Sequence, residues 1–141
     1  MSRWKRIVVG VDGSKPSRTA LAWAAAEAAD HQAEVLVVSV WEPPLIPPMG
    51  NPSVGRDIST SEGAAEDLVQ VIRDELGDNP PIVVQPRIAE GNPAHVLIES
   101  SEGADLLVVG TRGHGGFSGL LLGSVSQHVA AYAKCPVAVV R

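Results

Sequence analysis

Apolar runs alternate with longer helical patterns along the first part of the chain. The segment RIVVGV (residues 6–11) is short, continuous and rich in valine, and EVLVVSVW (34–41) repeats this pattern. Such runs are typical of strands that are buried on both faces of a parallel sheet. Between them, a helix-start cluster, DGSKPS, leads into SRTALAWAAAEAADH, which is dense in alanine and contains neither glycine nor proline. This segment therefore predicts a helix.

A proline-rich segment, about residues 42–59, interrupts the alternation. It contains five prolines and two glycines, which exclude a regular helix or strand. Structureless loops longer than about 12–15 residues are uncommon in compact domains and are usually functional or disordered. We expect a flexible surface loop here, which acts as a flap over a ligand or, alternatively, as a recognition segment for an SH3-like partner.

The alternation resumes after this loop. The segment SEGAAEDLVQVIRDELG (61–77) has apolar residues at helical spacing and ends at Gly77, a common helix stop. PIVVQPRIAEG (81–91) predicts a weaker strand, and its Pro86 favours a position at a sheet edge. The remaining segments predict a helix in NPAHVLIESSEG, a buried strand in ADLLVVG, a helix in SVSQHVAAYAKC and a last strand in PVAVVR.

The order of these elements, β-α-β-loop-α-β-α-β-loop-α-β, indicates an α/β fold with a parallel sheet and helices on both faces. We predict a single domain over residues 1–141. It would be a three-layer α/β/α structure around a five-stranded, mostly parallel sheet with strand order 3-2-1-4-5. Such sheets bind ligands beyond the carboxyl ends of their strands, where the strand order reverses. The exits of strands 1 and 4, VDGS and GTRGHGG, would then lie side by side.

Composition and charge narrow the class of protein. The chain of 141 residues is 45% hydrophobic and 19% charged, as expected of one globular domain. Its formal net charge of −5 argues against nucleic acids and anionic membranes as main partners. No apolar stretch approaches the roughly 20 residues of a membrane span. The one cysteine, Cys135, cannot form an internal disulfide, and a cytoplasmic protein is the default expectation.

The segment between the fourth strand and the fourth helix is rich in glycine. Six of the fourteen residues from 110 to 123 are glycine, yet two familiar phosphate loops do not fit. A Walker A loop needs a lysine after Gly123, and the dinucleotide fingerprint that begins at Gly113 fails at Ser118. An open helix N-terminus still favours an anion, and the hydroxyls of Ser124 and Ser126 add donors. Phosphate is the ligand group that this pattern predicts.

The spacing Gly110-x2-Gly113-x9-Gly123-Ser124 resembles the ATP-binding pattern of the universal stress protein family. The stretches IVVGVDGS, VLVVSVWEP, EGNPAHVLIE and CPVAVV extend the resemblance over the whole chain in the right order. The chain is similar to the single-domain, ATP-binding subgroup, which implies a fold like that of the adenine nucleotide alpha-hydrolases.

The resemblance also implies a set of site residues. Asp12 would lie by the ribose and base with Val11 packed nearby, and Val40 would meet the adenine edge. Arg112 occupies a variable position, where its guanidinium could pair with a phosphate or lie in solvent. The other implied contacts are Val109 and Gly110 beside the nucleoside, and Gly113, Gly123, Ser124, Val125 and Ser126 around the phosphates.

Structural roles compete with several of these assignments. Asp12 could serve as a helix cap, alone or together with binding, and Ser124 is expected to be a helix N-cap. Cys135 is expected to be a buried apolar residue. His114 is expected in solvent and, with His95 and His128 on helix surfaces, has no metal-ligand spacing, so a zinc site is not expected.

The favoured function is a cytosolic ATP-binding stress or regulatory protein, whose protein partner the sequence does not identify. Mg²⁺ or Mn²⁺ would enter with the nucleotide, with Asp12 as the one carboxylate placed to hold it. A slow ATPase or phosphotransferase is the alternative, although the chain has no Walker lysine and no evident general base. A nucleotide-independent dimerisation module is a third possibility. We also expect a homodimer formed through the apolar edge strand CPVAVV.

Overall fold

The computed structural model describes residues 3–41, 61–111 and 123–141. The proline-rich segment predicted at 42–59 lies outside the described residues, as do Arg112, Gly113 and His114. Within the described ranges the chain forms β1 (Arg6–Gly10), α1 (Lys15–His31), β2 (Glu34–Trp41), α2 (Ser61–Leu76), β3 (Val84–Glu90), α3 (Pro93–Ser101), β4 (Leu106–Gly110), α4 (Ser124–Tyr132) and β5 (Val137–Val140).

The five strands form one sheet with the order β3-β2-β1-β4-β5, which confirms the predicted topology. Every pairing is parallel, and β1 lies between β2 and β4, with Ile7 opposite both Val35 and Leu106. The strand that contains Pro86 lies at an edge, as predicted, where a missing N–H is tolerated. The exits of β1 and β4 are therefore neighbours.

The core lies on both faces of the sheet because each central strand contains a run of consecutive apolar residues. In β1, Ile7 and Val9 pack with α1 and α2, whereas Val8 packs on the other face with α3 and α4. All three side chains are fully buried. Burying each of these side chains contributes about 1.5–3 kcal/mol to the stability of the fold. Because both faces of the sheet are packed, consecutive residues of a strand are apolar.

Several element boundaries differ from those predicted. β1 ends at Gly10, although the Val11 N–H still donates to the Val38 carbonyl at 2.9 Å. α4 ends at Tyr132 rather than at Cys135, because the chain turns extended at Ala133 before Pro136. Gly77 does follow the end of α2, with a positive φ of 80° and its N–H on the Arg73 carbonyl.

Candidate functional site

A cleft of about 470 Å³ opens beyond the carboxyl ends of β1 and β2. Its volume lies in the range of small-molecule sites. It brings together three of the residues predicted for the site, Val11, Asp12 and Val40. The ends of adjacent parallel strands meet at one edge of the sheet, which is why residues 28 positions apart in sequence share this cleft.

The outer wall of the cleft is formed by one face of α2, which the sequence-based assignment did not include. Leu68 and Val71 are buried there and pack into the core beneath α1. Ala64, Asp67 and Gln70 complete this wall. The helical spacing of the apolar residues predicts a buried face for α2, but not that this face also borders a cleft.

The turn between β1 and α1 holds Asp12 in a fixed position. One carboxylate oxygen accepts hydrogen bonds from the N–H and the hydroxyl of Ser14, and the Asp12 N–H donates to the Ser17 hydroxyl at 3.2 Å. The interpretation of Asp12 as the helix cap is wrong, because Ser14 is the N-cap and accepts from the Ser17 N–H. Asp12 orients the capping residue, and its own side chain is exposed at the cleft.

Arg18 ties this turn to α2. Its Nε donates to the Gly13 carbonyl at 3.2 Å, and its Nη1 lies 3.5 Å from the carboxylate of Glu75 and 3.7 Å from that of Asp74. The guanidinium lines the cleft and joins two of its walls. Sequence reasoning missed Arg18 because its two carboxylate partners lie more than fifty residues away along the chain.

The predicted phosphate end of the site lies at the N-terminus of α4. Gly123 is the N-cap of this helix and offers no side chain, so the expectation that Ser124 is the N-cap is wrong. Ser124 is the first helical residue and is exposed. Because the N-cap residue supplies no side-chain hydrogen bond, the N–H groups of the first turn and the positive end of the helix dipole are suited to an anion.

Ser126 fixes this helix end against β4. Its side chain is buried, and the hydroxyl donates to the Gly110 carbonyl and lies 3.3 Å from the Thr111 carbonyl oxygen. The Gly123 N–H also donates to the Thr111 carbonyl. The hydroxyl proton predicted to assist phosphate binding is therefore used inside the protein.

Position 110 has no room for a side chain because the start of α1 packs against it. A Cβ atom at this position would lie 2.7 Å from the backbone carbonyl carbon of Pro16, in the first turn of α1. The end of β4 and the start of α1 are thus in direct contact. The turn that carries Asp12 consequently lies between the cleft on one side and the α4 N-terminus on the other.

Two further predicted site residues have side chains that pack in the hydrophobic core. Val109 is buried, and Val125 is partly buried, in the apolar cluster between the sheet and α3 and α4. Neither lines the cleft. Their contact with a ligand, like that of the whole predicted set, stays a prediction.

The histidine and cysteine predictions were tested in part. His95 and His128 are exposed, as expected, and the fold brings their rings to 6.1 Å between centroids. No group of three His, Cys, Asp or Glu side chains suited to a metal occurs in the described part of the chain.

Cys135 is only partly buried, which corrects the expectation of full burial. Burial still raises the pKa of its thiol, and the negative charge of Asp105 adds to the effect.

Comparison with known proteins identifies relatives over the full length of this chain. The universal stress protein family matches residues 3–141. A universal stress protein of Mycolicibacterium smegmatis is 36% identical in an alignment 138 positions long that covers 95% of this chain and 47% of that protein. This chain thus spans about half the length of the first curated relatives it matches. One from Thermus aquaticus, encoded in a sulfhydrylase 3′ region, is 36% identical over 98% of this chain and 99% of its own.

A solved structure extends the likeness to three dimensions. The crystal structure of a universal stress protein in complex with cAMP is 27% identical, with a TM-score of 0.68. The match covers 99% of this chain and 98% of that one. As for membranes, the described residues include no helix that is long and apolar enough to cross a bilayer.

Proposed function

The chain belongs to the universal stress protein family, and we propose that it binds an adenine nucleotide, ATP in the first instance. The base lies in the cleft against α2, the ribose lies at Asp12, and the phosphates lie at the N-terminus of α4. The residues predicted from the sequence, including Arg112 and Gly113 outside the described ranges, complete this site.

The observation that supports the proposal most is the order of three chemical surfaces across the sheet edge. A cleft lined by both apolar and polar residues, a fixed carboxylate and a helix N-terminus without a side-chain cap follow one another from β2 through β1 to β4. These surfaces match the base, the sugar hydroxyls and the phosphates of a nucleotide in the same sequence. The related structure bound to cAMP supports an adenine ligand.

Mg²⁺ or Mn²⁺ belongs to the proposal only as a partner of the nucleotide. The described residues offer no group of three ligating side chains, and Asp12 already accepts two hydrogen bonds at one oxygen. A hard cation of this type is commonly held by one or two carboxylates together with substrate phosphates. Asp12 and the phosphates would share it.

We further propose a cytoplasmic regulatory role rather than fast catalysis. Binding groups that hold ground state and transition state equally well do not raise turnover. In this proposal the site residues named above bind and orient the nucleotide, and none of them acts as a base for water. The protein would act as a homodimer that pairs through β5, with nucleotide occupancy altering its interactions.

The phosphate end of the site is tested by Ser124→Asp. A carboxylate at the first helical position favours the helix dipole, so the folded state should be as stable as the wild type or more stable by about 0.3–1 kcal/mol. The added carboxylate should repel the phosphates, so calorimetry should show that the affinity for ATP is reduced at least tenfold. Native mass spectrometry of the wild type should show a bound adenine nucleotide.

Ala131→Asp is the matched control. It adds the same charge to an exposed position of the same helix, about 10 Å further from the N-terminus. It should leave ATP affinity nearly unchanged while lowering stability slightly, because a negative charge near the helix C-terminus opposes the dipole. Equal loss of affinity in both variants, or none in Ser124→Asp, would contradict the assignment of the phosphates to this helix end.

A further inference from the structure

We propose that Trp41 recognises the base: its indole N–H donates a hydrogen bond to a ring nitrogen of the purine in the cleft. The proposal rests on the nucleotide function proposed above. It adds a residue that the sequence-based site did not contain.

The position of Trp41 follows from strand alternation. Along β2, Val35 and Val37 pack towards α1 and α2, whereas Leu36, Val38 and Val40 pack towards α3 and α4. Trp41 has the parity of the first set, so its ring lies on the side of the sheet that α2 covers. It is the last residue of β2 and lines the cleft.

The indole nitrogen of Trp41 lacks a partner. It is buried from solvent and has no hydrogen-bond acceptor among the described residues. An unpaired buried donor destabilises the folded state. Since Trp N–H groups usually find a partner when they are buried, this one needs an explanation.

A purine in the cleft supplies what the indole lacks. Its ring nitrogens are acceptors in the plane of the base, and its face can stack on aromatic side chains. Asp67, Gln70 and Arg18 also line the cleft, from the helices. Trp41 faces it from the sheet, so it can fix how far the base enters.

The donor is tested with Trp41→Phe, which keeps an aromatic ring and removes the N–H. Loss of a neutral hydrogen bond should weaken the binding of AMP about three- to tenfold in calorimetry. Without ligand the variant should melt close to the wild type, because the packing that is lost is offset by removal of an unpaired buried donor. Trp23→Phe, which alters a partly buried tryptophan away from the cleft, is the matched control and should bind normally.

Deaza analogues of AMP identify the acceptor. If Trp41 donates to the base, the loss caused by Trp41→Phe should vanish for one of the 1-deaza, 3-deaza or 7-deaza compounds and persist for the other two. Equal losses for all three analogues would mean that Trp41 contributes ring contact and no hydrogen bond to the base. Unchanged binding of AMP by Trp41→Phe would also refute the hydrogen bond.

A second replacement covers the case in which Trp41→Phe does not fold. Benzothienylalanine at position 41 keeps the size of the indole and replaces its N–H with sulfur, and the same losses are expected. Failure of the wild type to bind any adenine nucleotide would refute the proposed function itself. Normal binding by the wild type with unchanged binding by both replacements would refute only the role of Trp41.

Discussion

Asp105 shows how a single side chain can join distant parts of this fold. Its carboxylate accepts hydrogen bonds from the backbone N–H groups of Lys5, at 2.7 Å, and Arg6, at 3.0 Å. These bonds hold the pKa of Asp105 below its usual value, with a further contribution from the Lys5 charge. The ionised form is therefore favoured in the folded state.

We predict that this contribution to stability is lost in acid. A lowered native pKa stabilises the fold above the unfolded pKa of about 3.9, and the effect disappears as the pH falls through the native pKa. Urea unfolding at several pH values should show Asp105→Asn less stable than the wild type at neutral pH, with the gap narrowing below about pH 4. The exposed Asp30→Asn should show no such gap, and a gap that widens in acid would contradict the prediction.

The glycines Gly110 and Gly10 show which roles of a glycine can be predicted from the sequence and which cannot. The glycine pattern predicts a ligand site, but the structure explains Gly110 by its contact with the Pro16 backbone, whereas Gly10 lies against the end of the Leu97 side chain. A side chain at position 110 would collide with backbone, whereas one at position 10 would meet a side chain that can move. Only the tertiary structure distinguishes a glycine that allows a helix to pack closely from one that leaves space for a ligand.

At the scale of elements, the N-terminus of α4 depends on one buried hydroxyl. Ser126→Ala removes the hydrogen bond to the Gly110 carbonyl inside the protein. We expect a loss of about 1–3 kcal/mol in unfolding free energy. ATP affinity should also fall, because the helix end that would hold the phosphates is less firmly fixed to the end of β4, where the bond from the Gly123 N–H to the Thr111 carbonyl remains.

Ser100→Ala is the control for this prediction. The Ser100 hydroxyl donates to the Val96 carbonyl of its own helix, so its removal breaks no contact between elements. Alanine is also the better helix former, and the change in stability should be close to zero. Similar losses in the two variants would mean that Ser126 does not act as a link between α4 and β4.

The elements themselves follow from the sequence much more closely than the site does. Continuous apolar runs indicate strands buried on both faces, and their alternation with helices leaves few topologies. The cap of α4 was placed one residue late because Ser124 is the better capping residue in general, whereas Gly123 occupies that position here. The bridge from Arg18 to Asp74 and Glu75 needs the packing of α1 beside α2, which no local pattern contains.

At the scale of the whole molecule, the two edges of the sheet differ. The edge strand β3 contains Pro86 and Arg87, both exposed, which discourage pairing with another strand. The opposite edge, β5, is the uncharged run Val137–Val140, and all four residues are only partly buried. An apolar edge without a charge or a proline favours pairing with a second copy of itself.

We therefore predict a dimer in which two β5 strands pair across a two-fold axis. Val139→Lys places a charge in that edge and should shift the protein to monomer in sedimentation experiments at micromolar concentration. Val83→Lys adds the same charge beside the other edge, at a position that is 60% exposed, and should leave the dimer intact. A wild-type monomer, or a dimer that Val83→Lys disrupts and Val139→Lys does not, would rule out association through β5.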